Sequence, residues 1–428
     1  MQFGYLSQVF STFAWKSITS VEVNPDSSNG HEFNSSGALR KILETTTRRC
    51  SADTGIPTRF IYFSDTDDEA IESNACMSWY DSRAKHATRT EWRLYYTDNV
   101  VIGREGRAAE GDFLVIAFSS DRLTATVLVA ESGSTSESQL RWLFGITEEI
   151  SFRFGMAEVE SAQMVDVTRA RILEAAGVVL PAEDISLLER MIELFGGTFP
   201  STAAFGQFIR KEMSQIRPEE GADAAIMEWM EREEFAFRVL EKHIIGQRLQ
   251  QGFHDVDEFV KCSLSIHNRR KSRAGHAFEN HLGEIFSSYG LAFERGVMVE
   301  NKAKPDFLFP GSKQYKDTEF PVELITLLGA KTTCKDRWRQ VLAESSRVQD
   351  KHLVTLEPAI SSNQLAQMRQ HQLQLVIPTQ LHATYPVAER GGLWDMATFI
   401  QFIQDKQVSA GISSDFDHKT TKTKPRGK

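Results

Sequence analysis

The chain has few cysteines, no surplus of positive charge and no long apolar run. Its 428 residues include four cysteines, Cys50, Cys76, Cys262 and Cys334, with no C-x-x-C spacing. That pattern excludes zinc-ribbon architecture and offers no disulfide framework. No stretch approaches the roughly eighteen apolar residues of a membrane-spanning helix, and the first residues lack a basic-then-apolar secretion pattern. The expected setting is the reducing cytoplasm, with no membrane partner. Lys and Arg total 49 against 58 Asp and Glu, a net charge of −9, which excludes a uniformly basic coat for nucleic acid. Local basic clusters are still present, at Arg269–Lys271 with Arg273 and at Lys331, Lys335, Arg337 and Arg339. Hydrophobic content of 41% and charged content of 25% suit globular domains, and the length suits two or three of them.

The segment from Lys304 to Glu344 organises the chain. Pro305-Asp306 opens the apolar run FLFP, and a second run, ITLLGAK, ends at Lys331, 25 residues after Asp306. A helical pattern then starts near Lys335, with Arg337, Val341, Glu344 and Val348 on one stripe. Alone, a Pro-Asp pair is common at strand ends and turns. An acid heading one strand and a lysine ending the next resemble the PD-(D/E)xK nuclease core. There, two carboxylates hold a divalent metal and the lysine stands beside the attacking water. The second acid of that core lies two residues before the lysine, where this chain has Gly329. A hard cation needs several oxygen ligands, so a replacement is required. Glu344, thirteen residues past Lys331, offers it.

KTTCKDRWRQ, NRRKSRAG and PDFLFP stand in one order, with Asp, Lys and Glu at matching intervals. Together they resemble the catalytic domain of EcoRII-type (Type IIE) restriction endonucleases over roughly residues 230–400. In that family the second acid is likewise displaced onto the following helix. The resemblance implies a Type II site-specific deoxyribonuclease that hydrolyses double-stranded DNA with Mg²⁺ and leaves 5′-phosphates. Asp306 and Glu344 would bind the metal, Lys331 would serve the water, and Glu279 and Tyr315 would support them. From its own sequence context, Glu279 lies at the edge of the stripe Phe278, Leu282, Ile285, Phe286 and Tyr289, and reads more readily as a surface glutamate.

Lys335-Asp336-Arg337 reads either as an exposed helix start or as a base reader, with donors for guanine and an acceptor for cytosine. The resemblance implies the second, on a palindromic or pseudopalindromic site with a CC/GG core. Such symmetry requires a homodimer. HNRRKSRAG is expected to be a loop between helices over 257–266 and 274–289. Its Arg269, Arg270, Lys271 and Arg273 either contact phosphates or solvate that loop. A cognate DNA methyltransferase is expected in the same system.

The expected fold is an N-terminal β-rich pseudobarrel followed by a C-terminal α/β nuclease domain. Residues 1–175 would be the DNA-binding pseudobarrel, 176–200 a connection breaking near Pro181, 201–408 the nuclease, and 409–428 a disordered basic tail. Strands are expected at RFIYF and Glu91–Tyr96, with FLVIAF and LTATVLVA forming a hairpin. Ser132–Glu137 reads as a polar loop. Within YDSRAKHATRTEWR, alternating charge alone suggests a solvated hairpin. The resemblance instead makes Arg83, Arg89, Glu91, Trp92 and Arg93 one arm of a clamp for a second, effector copy of the target, with His31 on the other arm. Trp92 and Ala87 replace family lysines, so two phosphate-attracting cations are lost. Two other readings are a noncatalytic DNA-binding regulator and a repair or junction nuclease with the same core.

Overall fold

A computed structural model describes residues 4–23, 31–33, 37–44, 48, 55–67, 70–86, 88–161, 163–178, 184–299, 303–334, 337–342 and 347–412. Apolar residues dominate the N-terminal strands β1 (Phe10–Ser17), β2 (Glu32–Phe33), β3 (Ile56–Phe63), β4 (Ile71–Asp81), β5 (Trp92–Tyr96), β6 (Phe113–Ser119), β7 (Ala125–Ala130) and β8 (Gly155–Glu158). They join in one sheet in the order β2-β5-β4-β3-β7-β6-β1-β8. β6 and β7 form the expected antiparallel hairpin, while β3 and β7 run parallel. Because side chains alternate along a strand, Phe113, Val115 and Ala117 join one core while Leu114, Ile116 and Phe118 join another.

Helices α1 (Ser20–Val23) and α2 (Gly37–Leu43) flank the early strands. Helix α3 (Thr135–Phe144) begins inside the expected polar loop, because Ser134 caps it by accepting the Glu137 N–H at 3.0 Å. Cys76 is disulfide-bonded to a partner outside the described residues, against the absence of disulfides expected from spacing.

A helical layer follows: α4 (Val167–Ala175), α5 (Ile185–Phe195), α6 (Thr202–Glu212), α7 (Ala222–Gln251) and α8 (Val256–Ser288). The expected loop at HNRRKSRAG is instead the middle of α8. Its charges are tolerated because carboxylates from elsewhere meet them. Arg273 is buried, bonded to Glu234 and 3.8 Å from Glu233. Arg270 reaches Glu241 at 2.6 Å and Glu174 of α4 at 3.4 Å, and Arg269 lies over the Phe199 ring at 4.1 Å. Arg273 is therefore a structural cation in this packing, not the phosphate contact expected of it. The break near Pro181 lies outside the described residues; of the tail expected over 409–428, Ser409 is instead the last residue of a helix and the part past 412 lies outside the described residues.

The remaining strands, β9 (Glu294–Arg295), β10 (Phe307–Phe309), β11 (Thr326–Lys331), β12 (Lys351–Thr355) and β13 (Leu373–Val376), form a mixed sheet in the order β13-β12-β11-β10-β9. β10 is antiparallel to β9 and β11, whereas β11, β12 and β13 are parallel. Between and after them come α9 (Ser312–Lys316), α10 (Trp338–Leu342), α11 (Ser362–Gln370), α12 (Thr379–His382) and α13 (Met396–Ser409). Phe307 and Phe309 turn toward α8 and α13, with Phe286 centred 5.2 Å from Phe307 and Phe399 5.8 Å from Phe309. Leu308 and Leu327 turn the other way, onto Tyr315, Ile325 and Val348. This is the α/β arrangement expected of the second half. Among the described residues no helix is long and apolar enough to cross a membrane.

Burial alone would raise the pKa of Glu234, but Arg273, Arg238 and Arg171 around it bring it down from 4.5 to about 2. A depressed carboxylate stabilises the fold above its unfolded pKa and loses that contribution as pH falls through the folded one. Stability is therefore expected to drop as pH falls from 4.5 toward 2, and Glu234→Gln should flatten that drop. At neutral pH the same variant should cost about 3–5 kcal/mol by stranding buried arginines, read by chemical denaturation.

Candidate active site

β10 and β11 pair with Phe307 opposite Leu328 and Leu308 opposite Leu327. Alternation then places Asp306, just before β10, on the same face as Leu308, Leu327, Gly329 and Lys331. Asp306 Oδ2 accepts from Lys331 Nζ at 2.6 Å and from the Ala330 N–H at 2.7 Å. The second bond ties the carboxylate to the strand that carries the lysine, so the pair moves as one unit. Both side chains are largely shielded, 14% exposed for Asp306 and 20% for Lys331, which strengthens their attraction relative to water. Oδ1 of Asp306 takes part in neither of these two bonds.

Gly329 explains the missing second acid. A Cβ there would lie 2.6 Å from Val341 Cγ2, because α10 packs straight onto β11. The helix that excludes an acid from the strand is the one whose sequence continues to Glu344. Glu344, Lys335 and Asp336 themselves lie outside the described residues. Arg337 is described, and its N–H donates to Cys334 O at 2.6 Å, just past β11. Among the described residues no group of three or more His, Cys, Asp or Glu forms a metal cluster. Asp306 supplies a hard oxygen donor, which suits Mg²⁺ rather than a zinc-type site.

Glu279 accepts from Arg295 Nη2 at 3.0 Å. Arg295 stands opposite Phe307 in the β9–β10 ladder and lies over its ring at 5.3 Å. Glu279 is thus paired on the α8 side of the sheet, and not with Asp306 or Lys331. Tyr315 is buried beside Leu308 and Leu327, while Arg347 lies over its ring at 5.6 Å and donates to its carbonyl. The structure therefore brings Asp306 and Lys331 together, and gives Tyr315 a packing role on the same face.

At the N-terminal sheet, Asp81 Oδ1 accepts the Arg83 and Glu91 N–H groups at 2.9 and 2.7 Å, which sets the turn between β4 and β5. Glu91 receives Arg83 at 2.5 Å and Arg93 at 2.9 Å. The hydrogen bond from Arg93 is the main reason that Glu91 stays below the usual carboxylate range. Arg93 also reaches Glu32 at 2.6 Å, and Tyr80 donates to Glu32 at 3.0 Å. Glu32 follows His31, whose ring packs edge-on to Tyr95 and Tyr96. The two expected arms are thus joined through Glu32, a lone acid that no motif singled out. Arg89 is exposed, whereas Trp92 stacks on Trp79 with ring centres 5.3 Å apart.

Adding a methyl at Gly329 tests the packing that displaces the acid. Gly329→Ala should destabilise the fold by about 1–3 kcal/mol through overpacking. Combining it with Val341→Ala should cost less than the sum of the two single changes, read by thermal melts of all three variants.

A family model described as EcoRII C terminal matches residues 237–400. The Type II restriction enzyme EcoRII of Escherichia coli is 32% identical over 346 residues, covering 80% of this chain and 82% of that protein. Among solved structures, metal-depleted Ecl18kI in complex with uncleaved, modified DNA has a TM-score of 0.44 at 17% identity, over 55% of this chain and 89% of that one. The restriction endonuclease PspGI–substrate DNA complex has a TM-score of 0.42 at 14% identity, over 49% and 94%. With its length matched this fully at that identity, the chain belongs to the EcoRII family of Type II restriction enzymes.

Proposed function

We propose that this Type II restriction endonuclease hydrolyses double-stranded DNA at a palindromic or pseudopalindromic site with a CC/GG core. Mg²⁺ serves the hydrolysis, 5′-phosphates result, and an effector copy of DNA on the N-terminal region controls it. The observation that carries the reading is Lys331 Nζ held 2.6 Å from Asp306 Oδ2 on adjoining strands. Asp306 and Glu344 would hold the metal, and Gly329 supports that split because its strand position has no room for an acid. When bound, the metal supplies charge neutralisation at the scissile phosphate and acidifies water. Lys331 orients the attacking water and stabilises negative charge on the phosphate oxygens. Glu279 supports the site once a DNA phosphate claims Arg295, its present partner. Tyr315 shapes the apolar floor beneath.

Lys335, Asp336 and Arg337 read the CC/GG core from the segment after β11, while Arg269, Arg270 and Lys271 hold the backbone. His31, Arg83, Arg89, Glu91 and Arg93 hold the effector copy, and Trp92 braces that arm through Trp79. Residues 1–175 form the effector domain, 176–200 the connection and 201–408 the nuclease domain, followed by a basic tail. A companion DNA methyltransferase protects the host.

Two subunits are needed for two strands. An apolar stripe on α8, Val256, Val260 and Leu264, is 74%, 45% and 58% exposed at a helical spacing of four. A second copy would cover it.

Digestion of a sequenced plasmid is expected to give discrete fragments that require Mg²⁺ and carry 5′-phosphates. Lys331→Ala should lower the rate about a thousandfold or more, as should Glu344→Gln. Short duplexes of the mapped site should stimulate the wild type. Random fragments would favour a repair or junction nuclease, and no cutting with DNA still bound would favour the regulator. Sedimentation should report a dimer that Val260→Asp with Leu264→Asp converts to a monomer of unchanged circular dichroism.

A further inference from the structure

A buried carboxylate outside the catalytic pair holds the segment that leads to the triplet. Glu357 lies two residues past Thr355, the register partner of Lys331 in the parallel β11–β12 ladder. It is 5% exposed. Its Oε2 accepts the Cys334 N–H at 2.8 Å, and its Oε1 accepts the side-chain amide of Gln139 on α3. Its main chain is fixed as well. The Tyr385 hydroxyl donates to the Glu357 carbonyl at 2.5 Å, and the Glu357 N–H donates to Thr355 Oγ1 at 3.1 Å.

Cys334 is itself buried, and its carbonyl accepts the Arg337 N–H. The chain leaving the catalytic strand is thus tied to the neighbouring strand three residues past Lys331, immediately before the triplet. A buried carboxylate needs donors to offset its desolvation. Here one donor is the backbone that leads to the triplet, and another comes from the N-terminal half of the chain. The same junction is fixed nearby, where Gln364 Nε2 donates to Asp65 Oδ2 at 3.0 Å and Thr135 Oγ1 accepts the Ser361 N–H at 3.1 Å. Gln139 is therefore presented to Glu357 by a docked helix.

We infer that Glu357 is a positioning residue for Arg337, in the segment proposed to read bases, acting through the Cys334 N–H it accepts and the Cys334 carbonyl to which the Arg337 N–H donates. The inference rests on the reading of that segment as the base reader. Base contacts require donors and acceptors placed to within a fraction of an ångström, so a loosened anchor costs discrimination before it costs chemistry. Glu357→Gln still offers an amide oxygen to Cys334, whereas Glu357→Ala offers nothing.

The test uses the full chain with Mg²⁺ and two duplexes, one carrying the site mapped from plasmid fragments and one with a single base pair of it changed. Glu357→Ala is expected to raise KM on the mapped duplex, and to lower the ratio of kcat/KM between the two duplexes, about tenfold each, with kcat within about threefold. Glu357→Gln should keep the ratio within about threefold of wild type. Arg337→Ala is run beside them. If it lowers the ratio while Glu357→Ala leaves both ratio and KM at wild type, the positioning role is overturned. An unchanged ratio in Arg337→Ala removes the base-reading assignment itself, and the inference with it. Should Glu357→Ala lose its circular-dichroism signature, Glu357→Asp, which keeps the charge but shortens the reach, is judged by the same criteria.

Discussion

One cross-strand hydrogen bond governs the geometry of this enzyme: the Ala330 N–H to the carboxylate of Asp306. It fixes the acid to the strand that bears Lys331, so both functional groups belong to one rigid unit. That bond depends on the register of β10 against β11, which in turn depends on which residues face α8 and α13. Phe307 and Phe309 are buried among Phe286, Phe293 and Phe399, and this aromatic layer commits the odd-numbered face of β10 to the core. Asp306 and Leu308 are thereby committed to the other face. The polar pair is placed by apolar packing on the far side of the sheet.

The sequence disclosed the parts of this unit that local chemistry dictates. Pro305-Asp306, the run ending at Lys331, and the alternation of strand and helix beyond it were all readable, because each is encoded within a few neighbouring residues. What was not readable depends on partners distant in the chain. HNRRKSRAG looked like a solvated loop because its charges could not be matched to Glu174, Glu234 and Glu241, which lie far away in sequence and beside it in space. Gly329 looked like a defect in a motif, yet Val341 occupies the space an acid would need. Glu279 read as a support for the site, and its present partner, Arg295, sits on a two-residue strand with no sequence signal of its own.

Charge is used differently on the two sides of the chain. In the helical layer Arg238, Arg270 and Arg273 are met by Glu174, Glu234 and Glu241, so basic residues that suggest DNA contact serve mainly to fasten α4, α7 and α8 together. Arg270, with its side chain 44% exposed, keeps one edge toward solvent. At the tip of the N-terminal sheet the same kind of pair lies nearer the surface. Arg83, Arg93, Glu91 and Glu32 form a surface lattice in which each acid holds an arginine in a set direction. On an acidic chain such pairing leaves the few cations of this tip oriented.

The junction of antiparallel and parallel pairing within the nuclease sheet has a consequence for how this enzyme can change over evolution. β10 meets β11 head to tail across a long excursion that contains α9, whereas β11 and β12 run together. The excursion leaves from the end of β10 away from the acid, so its length does not decide which face of the sheet Asp306 and Lys331 occupy. A single insertion within β11 would send the lysine through the sheet to the aromatic side. Lineages of this fold are thus free to vary in loop length and bound in strand parity.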